Sequence, residues 1–70
     1  SVNRSVVLPN VKIGPGCTIE HAVLDEGCEI PDGMRIGVDR DQDAARFHLT
    51  DNGVVLVTAD LLARLAIGGA

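Results

Sequence analysis

Large aliphatic residues return on a six-residue beat at Val7, Ile13 and Ile19, then one residue early at Leu24, Ile30 and Ile36. Four positions after each of the first five stands another small or apolar residue: Val11, Cys17, Val23, Cys28 and Met34. A period of six suits neither a helix nor a long alternating strand, and short fixed repeats are the mark of solenoids. The pattern predicts strands of a residue or two, bent at corners and wound into a β-helix. One step, Ile19 to Val23, is five residues long, so three steps stack residues at an offset of seventeen. That offset sets Val7 beside Leu24, Ile13 beside Ile30 and Ile19 beside Ile36, so every inward partner is apolar. Pro9-Asn10, Pro15-Gly16, Glu26-Gly27 and Pro31-Asp32-Gly33 supply turn chemistry at the corners.

After Gly37 the beat stops. Residues 38–45, VDRDQDAA, are charged and predict a surface connection with room for one helical turn. Arg46 to Thr50 alternates, with Phe47 and Leu49 on one face, and Asp51-Asn52-Gly53 predicts a hairpin turn. Val54 to Val57 is the return strand, apolar enough to be packed on both faces. Thr58 is placed to cap a short helix from Ala59, with Asp60 in its first turn, Leu61, Leu62, Leu65 and Ala66 as its buried stripe, and Gly68 at its end. The expected organisation is residues 1–37 as hexapeptide coils and residues 38–70 as connection, hairpin and helix forming a C-terminal cap. Fewer than two coils are visible, whereas repeat folds need about three units, so the N-terminal edge is expected to be cut from a longer polypeptide.

Composition narrows the function classes. Of the 70 residues 46% are hydrophobic but Phe47 is the single aromatic, which suits a narrow aliphatic coil. Six basic against ten acidic residues give a formal charge of -4, so no electrostatic footprint for nucleic acid or an anionic membrane is present. No apolar run is long enough for a bilayer span, and Ser1-Val2-Asn3-Arg4 has no leader character. Cys17 and Cys28 take inward positions on different sides of the coil, with Cys17 stacked on Met34 and Val11 on Cys28, so free buried thiols are expected and a cytosolic setting is compatible.

Two phrases carry a family resemblance. One is Val23-Leu24-Asp25 followed by Ile30-Pro31-Asp32-Gly33-Met34 and Ile36-Gly37; the other is Asp43-Ala44-Ala45-Arg46-Phe47 followed by Gly53 to Thr58. Together they resemble the C-terminal end of bacterial glucose-1-phosphate adenylyltransferases. The resemblance implies a left-handed β-helix, against the usual right-handed crossover preference. It implies a cytoplasmic parent enzyme that makes ADP-glucose and pyrophosphate from ATP and glucose 1-phosphate with Mg²⁺, for glycogen synthesis. It also implies an N-terminal catalytic domain of the same polypeptide as partner, a homotetramer, and small-molecule effectors. No catalytic, cofactor-binding or metal residue is assigned to this chain, whose implied role is oligomerisation and allosteric coupling. The family's effector sites use basic residues in the turn after Val-Leu-Asp and along the tail helix. Here those places hold Glu26, Ala59 and Ala63, leaving Arg64 as the basic residue of the helix.

The remaining chemistry weighs lightly. His21 stands at an outward corner, where hexapeptide acyltransferases place a general base and hexapeptide carbonic anhydrases a zinc ligand. His21 and His48 lack partners at ligand spacing, so a solvated corner is the expectation. Ile13-Gly14-Pro15-Gly16 runs on into the beat rather than into a helix and so serves corners, not a phosphate cradle. Asp39, Asp41 and Asp43 open like a calcium loop, but Ala44 replaces its glycine and no glutamate closes it. Arg35, Arg40 and Arg46 flank the charged connection and are a candidate effector or interface patch. Alternative readings are a non-catalytic oligomerisation module of another sugar-nucleotide enzyme, or an acyltransferase fragment using His21.

Overall fold

The computed structural model describes residues 1–68. Short strands alternate with corners in chain order: β1 (Val2–Asn3), β2 (Val6–Val7), β3 (Lys12–Ile13), β4 (Thr18–Glu20), β5 (Ala22–Leu24), β6 (Glu29–Ile30) and β7 (Arg35–Ile36). They stack in parallel on three faces, β1-β4-β7, β2-β5 and β3-β6. The pairs Val2–Ile19, Val7–Leu24, Ile13–Ile30 and Ile19–Ile36 realise the seventeen-residue offset and make a hexapeptide β-helix. Backbone amides between layers continue the ladder, as in Lys12 N donating to Cys28 O at 2.9 Å and Thr18 N to Met34 O at 3.0 Å.

The core is one column in which Ile19, Leu24, Ile30 and Ile36 are buried with Cys17, Ala22 and Cys28, joined at the cap end by Phe47, Val55 and Val57. Each inward pair consists of a beat residue and the residue two before it. At the short step this corrects the sequence reading: Ala22 points inward and Val23 is half-buried. Counting four from Ile19 overshoots there, because the missing residue has been taken out ahead of Ala22. Beneath Ala22 lies Ser5, whose Oγ accepts from Ala22 N at 3.1 Å and donates to Asn3 O at 2.7 Å. Both thiols are free and buried; Cys17 Sγ donates to Pro31 O at 3.0 Å.

Corners also obey the offset. Left-handed backbone recurs at Gly16 and Gly33, at Asn10 and Gly27, and at Arg4 and His21, the last two both at φ 49°. Glycine and asparagine adopt this conformation readily, whereas other side chains crowd the following carbonyl.

Three different devices close the last layer. On the first face, helix α1 (Arg40–Arg46) caps β7; the charged connection is helical, and Arg40, Asp41, Gln42, Ala44 and Ala45 are exposed as expected of a surface segment. Asp39 accepts from Gln42 N at 3.1 Å as its N-cap, and Asp43 is buried rather than solvated. On the second face β9 (Val55–Val57) pairs in parallel with β5, occupying the place of a further coil, and β8 (His48–Leu49) covers its outer edge antiparallel. Only alternate residues of β9, Val55 and Val57, are buried; Leu56 is half-buried, so the strand is packed chiefly on one face rather than both. The turn between β8 and β9 has Gly53 at φ 80°, with Gly53 N donating to Thr50 O at 2.9 Å. On the third face helix α2 (Ala59–Gly68) lies beside β6, capped by Thr58 Oγ1 accepting from Leu61 N at 3.2 Å. Leu61, Leu62 and Leu65 pack on the core from this helix; the Ala66 side chain lies outside the described residues. At the opposite end Val2, Val6, Val7 and Ile13 are exposed on the first layer.

Candidate functional site

The three arginines of the candidate patch do different things. Arg46 reaches back from α1 to donate to the Arg35 carbonyl at 2.7 Å, makes a 3.4 Å ion pair with Asp43, and stacks its guanidinium 5.0 Å from the Phe47 ring centre. Asp43 in turn accepts from Gly37 N at 2.9 Å, so Asp43 and Arg46 tie the helix to the end of β7. Arg35 itself stays exposed on β7. Arg40 stands apart, with its guanidinium close to the β8–β9 turn at Gly53. There it shares a polar recess of about 230 Å³ with His21, Gly37, Asp43 and Val55. The sequence therefore names three cations of which α1 engages one for anchoring and turns another to a different site.

His21 is half-buried at the β4–β5 corner, where its amide donates to Asn3 O at 3.1 Å and its carbonyl accepts from Val55 N at 3.1 Å. His48 is exposed on β8. Two polar atoms near the anchor, Glu20 Oε2 and Arg46 Nε, are buried without hydrogen-bond partners. Glu20 adjoins Gly37, where an added Cβ would collide with the Glu20 carbonyl.

A second groove, of about 260 Å³, runs between α2 and the third face. Gly27, Glu29 and Pro31 line one side, and Ala59, Leu62 and Ala63 the other. It lies where the resemblance would set basic effector contacts, yet its lining is largely apolar with one carboxylate and no arginine or lysine. Cys28, beside it on the coil, has its thiol pushed above the ordinary range, first by burial and then by the charge of Asp25.

The acidic run does not gather into a metal site. Asp39 caps α1 and Asp43 holds Gly37 and Arg46. Among the described residues no three His, Cys, Asp or Glu side chains stand together as ligands. Among them, too, no helix is long and apolar enough to cross a membrane.

Comparison with known proteins gives this architecture its family. The family model described as GlmU-like, C-terminal hexapeptide matches residues 1–57, from the first strand through β9. The chain belongs to that hexapeptide family. Within it, the chain is 54% identical over 61 residues to the glucose-1-phosphate adenylyltransferase of Nitrosococcus oceani, covering 87% of this chain and 14% of that enzyme. It is 48% identical over 65 residues to that of Mannheimia succiniciproducens, covering 93% of this chain and 15% of the enzyme. Against the enzyme of Albidiferax ferrireducens the identity is 49% over all 70 residues, which is 16% of that protein. The hexapeptide chain thus spans about one seventh of the curated relatives it matches, and the likeness is to their C-terminal parts.

Proposed function

We propose that this chain is the C-terminal β-helix section of an enzyme that forms ADP-glucose and pyrophosphate from ATP and glucose 1-phosphate, with Mg²⁺ held elsewhere in the polypeptide. The observation that carries the reading is identity of about half the positions along nearly the whole chain, coils and cap alike, to enzymes of that name. The coils, residues 1–37, wind left-handed and continue those of an upstream segment, whose last layer covers the exposed Val2, Val6, Val7 and Ile13. Residues 38–70 close the solenoid. Its contribution is to assembly into a cytoplasmic homotetramer and to transmission of effector binding, not to bond making. Apolar area and three open strand edges at one end, against three caps at the other, support this division.

The test is to purify the polypeptide that carries this chain and assay it with ATP, glucose 1-phosphate and Mg²⁺. ADP-glucose formation that survives His21→Asn is expected. Absence of ADP-glucose, or acyl transfer from coenzyme A that His21→Asn abolishes, would overturn the reading in favour of an acyltransferase. Assembly is tested separately: Val7→Asp should break the joint between coils and lower the sedimentation mass, and an unchanged mass would remove the assembly role.

A further inference from the structure

Three corners of the coil must take left-handed backbone, and the chain solves two of them with residues suited to it, Gly16 with Gly33 and Asn10 with Gly27. The third corner carries Arg4 and, seventeen residues on, His21. Side chains of this size in left-handed backbone are retained against a local cost, and such positions gather at binding sites. The offset stacks these two along the coil axis, one layer or about 4.8 Å apart. Above them, α1 directs Arg40 into the recess that His21 also lines. Three side chains able to carry positive charge thus follow one edge of a protein whose formal charge is -4.

The recess is shaped for a small guest. Its walls come from the β4–β5 corner, the start of α1 and the β8–β9 turn, and its volume is about 230 Å³. Arg40 makes no ion pair among the described residues. The one carboxylate in the wall, Asp43, is already engaged, its two oxygens taken by Gly37 N and by Arg46. A planar guanidinium pairs with two oxygens at once, and an imidazole N–H adds a third donor from another direction.

We propose that the recess formed by His21 and Arg40 binds a small oxyanion of the phosphate or carboxylate type, with Arg4 on the same edge drawing it in. The site is separate from the groove beneath α2, and it does not depend on which reaction the parent polypeptide catalyses.

The experiment is residue-resolved arginine modification. The polypeptide carrying this chain is treated with phenylglyoxal, with and without 10 mM inorganic phosphate or 10 mM acetate as probes, and peptides are quantified by mass spectrometry. For a two-donor surface site with Kd of about 1 mM, 10 mM phosphate slows modification of Arg40 about tenfold. Arg64, exposed on α2, is the internal reference and should be unaffected. His21→Asn keeps a residue suited to the corner while removing the imidazole, and it should reduce the protection at Arg40. Protection by phosphate alone assigns a phosphoryl ligand, and equal protection by acetate assigns a carboxylate. Modification of Arg40 at one rate in all three conditions would overturn the proposal, as would protection that His21→Asn leaves intact.

Discussion

Replacing Asp43 with alanine isolates the joint between α1 and the coil. Asp43 Oδ2 accepts from Gly37 N at 2.9 Å, and Oδ1 meets Arg46 at 3.4 Å. The first contact is short, and losing it strands a half-buried amide at a cost of about 1–3 kcal/mol. The second is long, and Arg46 retains the Arg35 carbonyl at 2.7 Å, so its loss adds only about 0.5–1 kcal/mol. Asp43→Ala should therefore weaken the joint by about 1.5–4 kcal/mol. Asp43→Asn keeps an acceptor for Gly37 N and gives up the charge, so about 1 kcal/mol is expected. Native-state hydrogen exchange reads both, because the amides of Gly37 and of Phe47, which donates to Asp43 O at 2.7 Å, report on the junction. Gly37 should exchange faster by about one to three decades in Asp43→Ala, while the Ile30 amide deep in the coil changes little. Equal exchange of Gly37 in wild type and Asp43→Ala would refute the assignment of the joint to this carboxylate.

The other expectations concern the column, its corners and its thiols. Ile30→Ala, which empties a buried position stacked on Ile13, should cost about 2–5 kcal/mol in urea unfolding; a cost near zero would mean the register is wrong. Gly37→Ala sets a Cβ into the Glu20 carbonyl at a φ of 81° and should cost about 3 kcal/mol or more. Gly27→Ala, at φ 78° with nothing within 4 Å, should cost only about 1–2 kcal/mol, and equal losses at the two sites would discredit the close approach. Because the folded Cys28 thiol titrates above its unfolded value, the unfolded chain loses this proton first as pH rises. Stability should be unaffected below the ordinary thiol range and fall above it. Cys28→Ala should flatten that alkaline fall, and an unaltered slope would assign it to another group.

The coil was legible because its period is enforced layer by layer: Ile13, Ile30 and their kind must meet across a fixed offset, so one chain direction carries the whole register. The short step was legible as a shift in beat, but not as a choice between Ala22 and Val23, since both are apolar and only the position of the deleted residue decides. Residues 38–45 misled because Asp43 looks solvated when counted as charge. Its burial depends on the Gly37 amide and on Arg46, one of them a backbone group that composition does not display. The signals were present in part, with Asp39 at a capping position and Asp43 three residues ahead of Arg46. The hairpin was visible in Asn52-Gly53, whereas the parallel pairing of β9 with β5 was not, because that strand enters the sheet as a substitute for a coil. Likewise the division of the arginines between anchoring and recess follows from the path of α1 alone.

The three closures of the last layer differ in kind: a carboxylate on an amide, a strand on a strand edge, and a leucine-faced helix on an apolar wall. Each addresses features that recur with every turn of the coil, chiefly backbone groups and the beat residues Leu24, Ile30 and Ile36. Such a plug is indifferent to how many turns stand behind it. Gain or loss of a whole seventeen-residue turn would leave its seat nearly unchanged, whereas gain or loss of a single residue would misalign all three contacts together. Length variation in such solenoids is thereby channelled into whole turns, and the cap can remain constant while the rod behind it is lengthened or shortened.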